Sequence, residues 1–321
     1  MDAIARLDGW LPGRIFWNDD DVEASIVEWI HSDETGFPDA FLDDTFARLT
    51  RRPANVLFRR RTTLAQLEAW AQHSPGIRPT GLIFHVSRCG STLLAHLLGR
   101  LDGALVLSEP GPVDSLIRAG DRLGRDRQIR LLRAVVSALG QARAPGQTRL
   151  FIKLDAWNTL QHALIREAFP ETPRVFLYRD PVEVLVSALR QRGVHTAPGL
   201  LPGRLFGIDD EPDPDAWAAR VLGAILSGGQ EAAEAAPTLL LNYADLPGAA
   251  WTGVAGHFGL TLTKDEVARL TLASGRNPKR GDQPFESDAA AKRDAAPEAV
   301  RALAERWMRP AYDALEALRR A

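Results

Sequence analysis

The chain has 321 residues, of which 45% are hydrophobic and 25% are charged. This composition is typical of a globular protein and excludes an intrinsically disordered chain. The 39 lysines and arginines nearly balance the 41 aspartates and glutamates. The overall charge therefore gives no reason to expect nucleic acid or a membrane as a partner, and any phosphate site must be local.

The cysteine and histidine content argues against a metal protein. A single cysteine excludes an internal disulfide framework and a cysteine-rich metal site, and the seven histidines lack ligand spacing. We therefore expect chemistry without a metal. Because no window approaches the ~18 apolar residues of a membrane span and no targeting segment is evident, we expect a cytoplasmic protein. A homo-oligomer stays open.

The first 80 residues are rich in tryptophan and carry no chemical motif. Apolar residues recur at helical spacing through Val22–Ile30 and again through Leu64–Trp70, which predicts short helices. We interpret residues 1–80 as a helical extension of the domain that follows. A dimer or partner surface in this segment stays open.

Five short apolar runs alternate with helical patterns in the rest of the chain. The runs are Gly81–Val86, Ala104–Leu107, Leu150–Ile152, Arg174–Tyr178 and Thr238–Leu241. This alternation predicts an α/β domain over residues 81–321, with a mostly parallel sheet flanked by helices. Ligands of such sheets collect at the carboxyl ends of the strands, where the polar clusters of this chain occur. Apolar spacing from Val300 to Leu315 predicts a closing amphipathic helix.

The segment Ser87–Thr92 joins the first predicted strand of this domain to a helix. It has small residues, a glycine and hydroxyl side chains, with the positive charge of Arg88 beside them. Successive backbone N–H groups of such a turn, leading into a helix N-terminus, form an anion cradle. The pattern predicts a phosphate loop and a fold of the P-loop type.

Two better-known uses of such a loop do not fit. Ser91 follows Gly90 where a Walker A motif has lysine, so a nucleotide triphosphatase is disfavoured. A phosphatase cysteine needs an arginine six positions later, but Ala95 stands there, and Cys89 is interpreted as a small loop filler. We interpret His85, within the first apolar run, as a packed and hydrogen-bonded histidine and not as a base.

With these residues in view, the loop resembles the 5′-phosphosulfate loop of the sulfotransferase family. Arg88, Gly90, Ser91 and Thr92 match that loop, whereas Ser87 and Cys89 stand where the family has proline and serine. The departures concern the rigidity of the turn and one hydroxyl contact.

A second segment resembles another motif of the same family. Arg179 ends a predicted strand, is followed by Asp180 and Pro181, and has Ser187 eight positions later. The resemblance implies that Arg179 pairs with a 3′-phosphate and that Ser187 donates its hydroxyl.

A third segment resembles the late basic element that the family folds over its cofactor. Here Lys279, Arg280 and Gly281 are the matching residues, with a solvated basic turn as the alternative. The segment Tyr243–Leu246 also resembles a strand end of the family, with a structural role.

The resemblance covers residues 81–285 and implies transfer of a sulfuryl group from 3′-phosphoadenosine-5′-phosphosulfate (PAPS) to a hydroxyl or amine. In-line displacement requires positively charged side chains near the leaving phosphate and near the sulfonate. Arg88 is the candidate for the leaving phosphate, and Lys153 is the candidate for the sulfonate or the bridging oxygen. A salt bridge to Asp155 is the alternative for Lys153. The resemblance implies Glu109 as the base for the acceptor, with Asp155 second. The acceptor, a small molecule or a peptide, is not identified.

Two other functions stay open at this stage. A nucleotide or phosphoryl-transfer enzyme on the same scaffold predicts metal dependence and a Walker lysine. A non-catalytic scaffold that retains the loop as an anion site predicts affinity without turnover.

Overall fold

The computed structural model describes residues 7–277, 280–284 and 296–321. For residues 121, 276–277 and 280–284 only the backbone is described. None of the described helices is long and apolar enough to cross a membrane.

Ten strands occur in the described residues. They are β1 (Trp10–Phe16), β2 (Ile26–His31), β3 (Arg60–Thr63), β4 (Pro79–His85), β5 (Ala104–Ser108), β6 (Arg149–Lys153), β7 (Arg174–Tyr178), β8 (Leu239–Asn242), β9 (Arg276–Asn277) and β10 (Arg280–Pro284).

Thirteen α-helices occur in the same residues. They are α1 (Leu42–Leu49), α2 (Pro53–Leu57), α3 (Leu64–His73), α4 (Ser91–Leu98), α5 (Gly111–Ile117), α6 (Arg125–Leu139), α7 (His162–Ala168), α8 (Pro181–Arg190), α9 (Pro214–Ala235), α10 (Ala255–His257), α11 (Lys264–Ser274), α12 (Glu298–Trp307) and α13 (Arg309–Arg320).

The central sheet has five parallel strands in the order β5-β6-β4-β7-β8. The registers of β5 with β6 and of β7 with β8 are parallel throughout. Every residue of β7 is buried, as expected for a strand that is covered on both faces. The predicted fold class, a mostly parallel sheet flanked by helices, is confirmed, and all five strands lie where the apolar runs predict them.

The chain forms two compact units, of which the first comprises Met1–Leu82, Leu98–Leu154 and Ala163–Thr172. Its N-terminal part is a three-stranded antiparallel sheet in the order β1-β2-β3, with α1 to α3 around it. The prediction of a helical extension is therefore wrong for the strand residues, although the helix predicted at Leu64–Trp70 is present as α3. In β2 the alternate residues Val27 and Trp29 are buried, so the burial of side chains repeats every two residues, as in a strand, where the apolar spacing predicts a helix. The proposed division of the chain at residue 80 stays a prediction.

The second unit comprises Ile83–Leu97, Asp155–His162 and Pro173–Ala321. The single closing helix predicted there is in fact two helices, α12 and α13. The break falls at Met308, and Pro310 occupies the first turn of α13, where its missing N–H is tolerated. The glycine-rich loop before α9 contains two short 3₁₀ turns and buries His195, Leu201 and Phe206.

A buried polar network ties α13 to the ends of β7 and β8 in this unit. The Tyr178 hydroxyl donates to Glu316 Oε1 at 2.6 Å, and Asn242 Nδ2 donates to the same oxygen at 3.0 Å. Arg319 donates two hydrogen bonds to the Glu316 carboxylate, which together with the Tyr178 and Asn242 donors lowers the pKa of Glu316 to about 2. Burial, reinforced by Glu316, raises the pKa of Tyr178. The network fixes the two strand ends directly before Arg179 and Tyr243.

Candidate active site

The segment Ser87–Thr92, called the phosphate loop below, has an unusual backbone. Ser87, Arg88 and Gly90 have φ angles of 76°, 52° and 88°. Residues other than glycine rarely adopt positive φ, and such strain is typical of functional turns. The loop leads directly into α4, which begins at Ser91. Its backbone N–H groups suit an anion in the way that the sequence predicts.

Contacts from buried neighbours hold the loop in this conformation. The N–H of Ser87 donates to His85 Nδ1 at 3.0 Å, and the N–H of Val86 donates to the Leu177 carbonyl at 3.1 Å. Cys89 is fully buried, and its thiol donates to the same carbonyl at 3.2 Å. These contacts agree with the interpretation of Cys89 as a loop filler and of His85 as a packed histidine.

Gly90 is required by close packing as well as by its positive φ. A Cβ atom at this position would lie 2.7 Å from Tyr243 Cδ2, closer than real Cβ contacts come. Tyr243 follows β8 and begins a short 3₁₀ turn. The sequence predicts only a structural role for this segment, whereas the tyrosine ring is part of the wall against which the phosphate loop packs.

Arg88 connects the phosphate loop to α8. Its Nε donates to Ser187 Oγ at 2.9 Å, and its Nη2 lies 3.4 Å from Gln191 Oε1. Ser187 is 7% exposed, so this contact is largely shielded from water. The two motifs that resemble the sulfotransferase family, 99 positions apart at these residues, therefore meet in the folded chain.

Arg179 is buried at the carboxyl end of β7. Its Nε donates to Glu183 Oε2 at 2.5 Å, and its guanidinium carbon lies 4.0 Å from the centre of the Tyr243 ring. The carboxylate and the aromatic ring together fix the plane of the guanidinium. Glu183 is a functional candidate that the sequence reasoning missed. Its signal was the spacing of four residues from Arg179 across the start of a helix.

The residues between these two arrange the turn from strand to helix. Asp180 caps α8, because its Oδ1 accepts the N–H groups of Val182 and Glu183 at 3.0 and 3.2 Å. Pro181 occupies the first position of the helix, where no backbone donor is lost. The order arginine, aspartate, proline thus ends the strand and starts the helix within three residues.

A second polar cluster, called the lysine–glutamate pair below, lies in the first unit. Lys153 ends β6 and is fully buried, and its Nζ lies 2.6 Å from Glu109 Oε1. Glu109 follows β5 with a φ of 51°, and its N–H donates to the Lys153 carbonyl at 2.6 Å. The Phe41 ring lies 4.7 Å from the Lys153 ammonium. Glu109 is therefore an ion-pair partner of Lys153, and the pairing with Asp155 that was considered on the sequence stays a prediction.

The remaining predicted residues are described in part. Asp155 is buried and precedes a 3₁₀ helix, Ala156–Gln161, without capping it through its side chain. Lys279 lies outside the described residues. Arg280 and Gly281 belong to β10, which pairs with β9, and only their backbone is described. The role of this basic segment at the cofactor stays a prediction.

The two clusters differ in the chemistry they offer. The phosphate loop and Arg179 supply backbone N–H groups and guanidinium charge for an anion. The lysine–glutamate pair supplies a carboxylate that is 24% exposed, beside an ammonium.

Within the part of the chain that is described, no group of three histidine, cysteine, aspartate or glutamate side chains is arranged to hold a metal ion. β5, which precedes Glu109, and β6, which ends at Lys153, are neighbours in the central sheet.

Comparison with known proteins gives similarity in structure alone. Neither the protein-family models nor the curated protein sequences yield a match. The sulfotransferase domain of the Synechococcus PCC 7002 olefin synthase matches with 18% identity and a TM-score of 0.39, over 72% of this chain and 95% of that domain. The sulfotransferase domain from the curacin biosynthetic pathway has 18% identity and a TM-score of 0.41, over 68% and 82%. A sulfotransferase from Alicyclobacillus acidocaldarius has 16% identity and a TM-score of 0.40, over 76% and 96%. The chain is similar to each of these solved structures.

Proposed function

We propose that the chain is a sulfotransferase that uses PAPS and passes the sulfuryl group to a hydroxyl or amine of a small-molecule or peptide acceptor. The observation that carries the proposal is the 2.9 Å hydrogen bond between Arg88 Nε and Ser187 Oγ. This hydrogen bond joins the phosphate loop, which is suited to a 5′-phosphate, to α8. Arg179, which is suited to a 3′-phosphate, directly precedes that helix and its cap. A 3′,5′-bisphosphorylated nucleotide requires two such anion sites, whereas ATP requires one.

The described residues fit such a nucleotide. The phosphate loop would hold its 5′-phosphosulfate through backbone N–H groups and Arg88, because the positive φ angles of Ser87, Arg88 and Gly90 form a turn whose successive N–H groups suit an anion. Arg179 and Ser187 would hold the 3′-phosphate. Arg179 is suited to this contact because Glu183 and Tyr243 already orient its guanidinium, so that little side-chain entropy is lost on binding.

When bound, PAPS supplies a sulfuryl group with a phosphate as its leaving group. Arg88 would neutralise the charge that develops on that phosphate. Glu109 would accept the proton of the acceptor hydroxyl or amine through its partly exposed carboxylate. The 2.6 Å contact with Lys153 orients this carboxylate, and the Lys153 ammonium would supply charge to the sulfonate or bridging oxygen. Asp155 is the second candidate for the base.

Calorimetric titration in the presence of EDTA tests the proposal without knowledge of the acceptor. The ligands are 3′-phosphoadenosine-5′-phosphate (PAP), 5′-AMP and ATP, each added to the purified chain. We expect PAP to bind at least about tenfold more tightly than 5′-AMP, because one charge-assisted contact contributes about that much. Equal binding of the three ligands, or a preference for ATP in a parallel titration with Mg²⁺ in place of EDTA, would favour the phosphoryl-transfer alternative. PAP affinity without PAPS turnover against a broad set of acceptors would favour the scaffold.

A further inference from the structure

The first unit presents an apolar knob, defined here as Val56, Leu57 and Phe58, at the end of α2. These residues are 53%, 73% and 67% exposed. Single exposed apolar residues are ordinary, but a contiguous group of three large ones marks an interaction surface. The proposed sulfuryl transfer makes no use of them.

Arginines stand on both sides of the knob in the sequence. Residues 51–61 contain five arginines and no acidic residue. We call Arg51, Arg52, Arg59, Arg60 and Arg61 the basic collar; all are exposed except Arg52, which is half-buried. The collar is a local concentration of charge in a chain whose formal net charge is −2.

Two members of the collar are already partnered by acidic side chains. Arg52 forms ion pairs with Asp33 and with Glu34, and Arg61 lies 3.3 Å from Glu28. Arg60 stacks over the Trp10 ring at 4.8 Å. The charge available to a partner is therefore carried mainly by Arg51 and Arg59, which stand on opposite sides of the knob in the sequence.

The fold holds the knob in place through Asn55. Its Oδ1 accepts the N–H of His31 at 2.8 Å, and its Nδ2 donates to the carbonyls of His31 and Leu49, each at 2.9 Å. These bonds attach α2 to the end of β2 and to the end of α1. The apolar side chains therefore project from a fixed base.

We propose that the knob inserts into the interfacial region of a membrane that contains anionic phospholipid, while the collar binds the lipid phosphates. Val56 and Leu57 are the last two residues of α2 and Phe58 is its C-cap, so the three exposed apolar side chains stand together at the end of the helix. An apolar tip with arginines on either side is the arrangement that lies on an anionic membrane without crossing it.

The sequence-based expectation of no membrane partner relied on the balance of charge over the whole chain. In that balance the positive charge of the collar is offset by acidic residues elsewhere in the chain, so the local concentration of arginines does not show. The proposed docking is independent of PAPS binding, and it can hold or fail whether or not the chain is a sulfotransferase.

Vesicle flotation of the full chain at low salt, without nucleotide, tests the docking. The vesicles are phosphatidylcholine alone or with phosphatidylserine. We expect binding to the anionic vesicles only, and binding that weakens as salt is added. The double variant Leu57→Ser with Phe58→Ser should bind at least about tenfold more weakly, since both large apolar side chains leave the bilayer. Arg51→Glu and Arg59→Glu should each weaken binding by about fivefold or more.

Leu272→Ser is the matched control, because Leu272 is 73% exposed, as is Leu57, but lies on α11. It should bind vesicles like the parent chain, and all variants should melt like the parent chain because the altered side chains are exposed. Absence of binding to anionic vesicles would overturn the proposal, and so would binding that the knob variant leaves unchanged. Knob-dependent binding to soluble polyglutamate instead of vesicles would assign the surface to an acidic polypeptide and would also overturn it.

Discussion

The phosphate loop and the lysine–glutamate pair show two ways of placing charge at the ends of parallel strands. The loop depends on backbone shape, with positive φ at Ser87, Arg88 and Gly90, and it concentrates positive charge. The lysine–glutamate pair depends on side chains, and its two charges neutralise each other at 2.6 Å. In the proposed function, the backbone N–H groups of the loop and Arg88 attract an anionic ligand, whereas the Glu109 carboxylate is suited to accepting a proton and the Lys153 ammonium beside it to stabilising the sulfonate.

This difference separates binding from chemistry in the proposed function. Variants of the phosphate loop and of Arg179 should change ligand affinity. Variants of the pair should change turnover and leave the affinity for PAP nearly as it was.

The largest effect is expected for Glu109→Gln. Loss of the proton acceptor should lower turnover by about 10²–10⁴-fold, measured as PAP release with an accepted substrate. The affinity for PAP, measured by calorimetry, should stay within about twofold because the amide keeps the shape of the side chain. Asp155→Asn is the matched comparison, and a larger loss of turnover there than in Glu109→Gln would transfer the role of base to Asp155.

Lys153→Met should lower turnover by about 10²–10³-fold, the range for loss of one preorganised charge at a reacting group. Methionine keeps the length and the apolar stem of the buried side chain but removes the ammonium. The exposed Lys264, replaced by methionine in the same way, serves as the control and should retain full turnover. Full turnover in Lys153→Met would reduce the pair to a structural ion pair.

Glu316→Gln should lower the free energy of unfolding at pH 7 by on the order of 2 kcal/mol, measured by urea denaturation. The folded-state pKa of Glu316, about 2, lies below the unfolded value of about 4.3, so its contribution is present above about pH 5 and is lost as the pH falls toward 2. The difference between variant and parent should therefore shrink at pH 3. Glu305→Gln on the exposed face of α12 should cost little at either pH, and a pH-independent difference for Glu316→Gln would contradict the assigned pKa.

Gly90→Ala should weaken PAP binding by about tenfold, because its Cβ collides with the Tyr243 ring and moves the loop. Gly199→Ala is the matched control, with a nearly equal φ of +82° but no atom within 4 Å of the added carbon. Both variants carry the steric cost of a left-handed residue, about 1–2 kcal/mol, and only Gly90→Ala should lose affinity. Equal affinities of Gly90→Ala and Gly199→Ala for PAP would show that the shape of the phosphate loop does not determine nucleotide binding.

Much of the fold was predictable because buried parallel strands are short apolar runs whatever surrounds them. All five runs, from Gly81 to Leu241, became strands of the central sheet. The N-terminal strands were missed because Val22–Ile30 satisfies a helical spacing and a strand spacing at once, and pairing with β1 and β3 decides between them. The break between α12 and α13 had a local signal in Pro310 that the amphipathic pattern concealed.

The candidate site was predictable where a motif is local and not where partners come from distant parts of the chain. The phosphate loop and the turn from Arg179 to Pro181 follow from neighbouring residues. The contacts of Lys153 with Glu109 and with Phe41 join residues 44 and 112 positions apart, which no spacing rule connects. Tyr243 was similarly placed in a structural segment, because only the folded chain brings its ring against Gly90 and Arg179.

The most direct test of the central claim is a thermodynamic cycle between Arg179 and the 3′-phosphate. Calorimetry gives the affinities of the parent chain and of Arg179→Ala for PAP and for 5′-AMP, which lacks that phosphate. The proposed function predicts that the preference for PAP, about 1.5–3 kcal/mol in the parent chain, largely disappears in the variant, while binding of 5′-AMP changes little. A preference for PAP that survives in Arg179→Ala, or its absence in the parent chain, would contradict a 3′,5′-bisphosphate site and with it the use of PAPS.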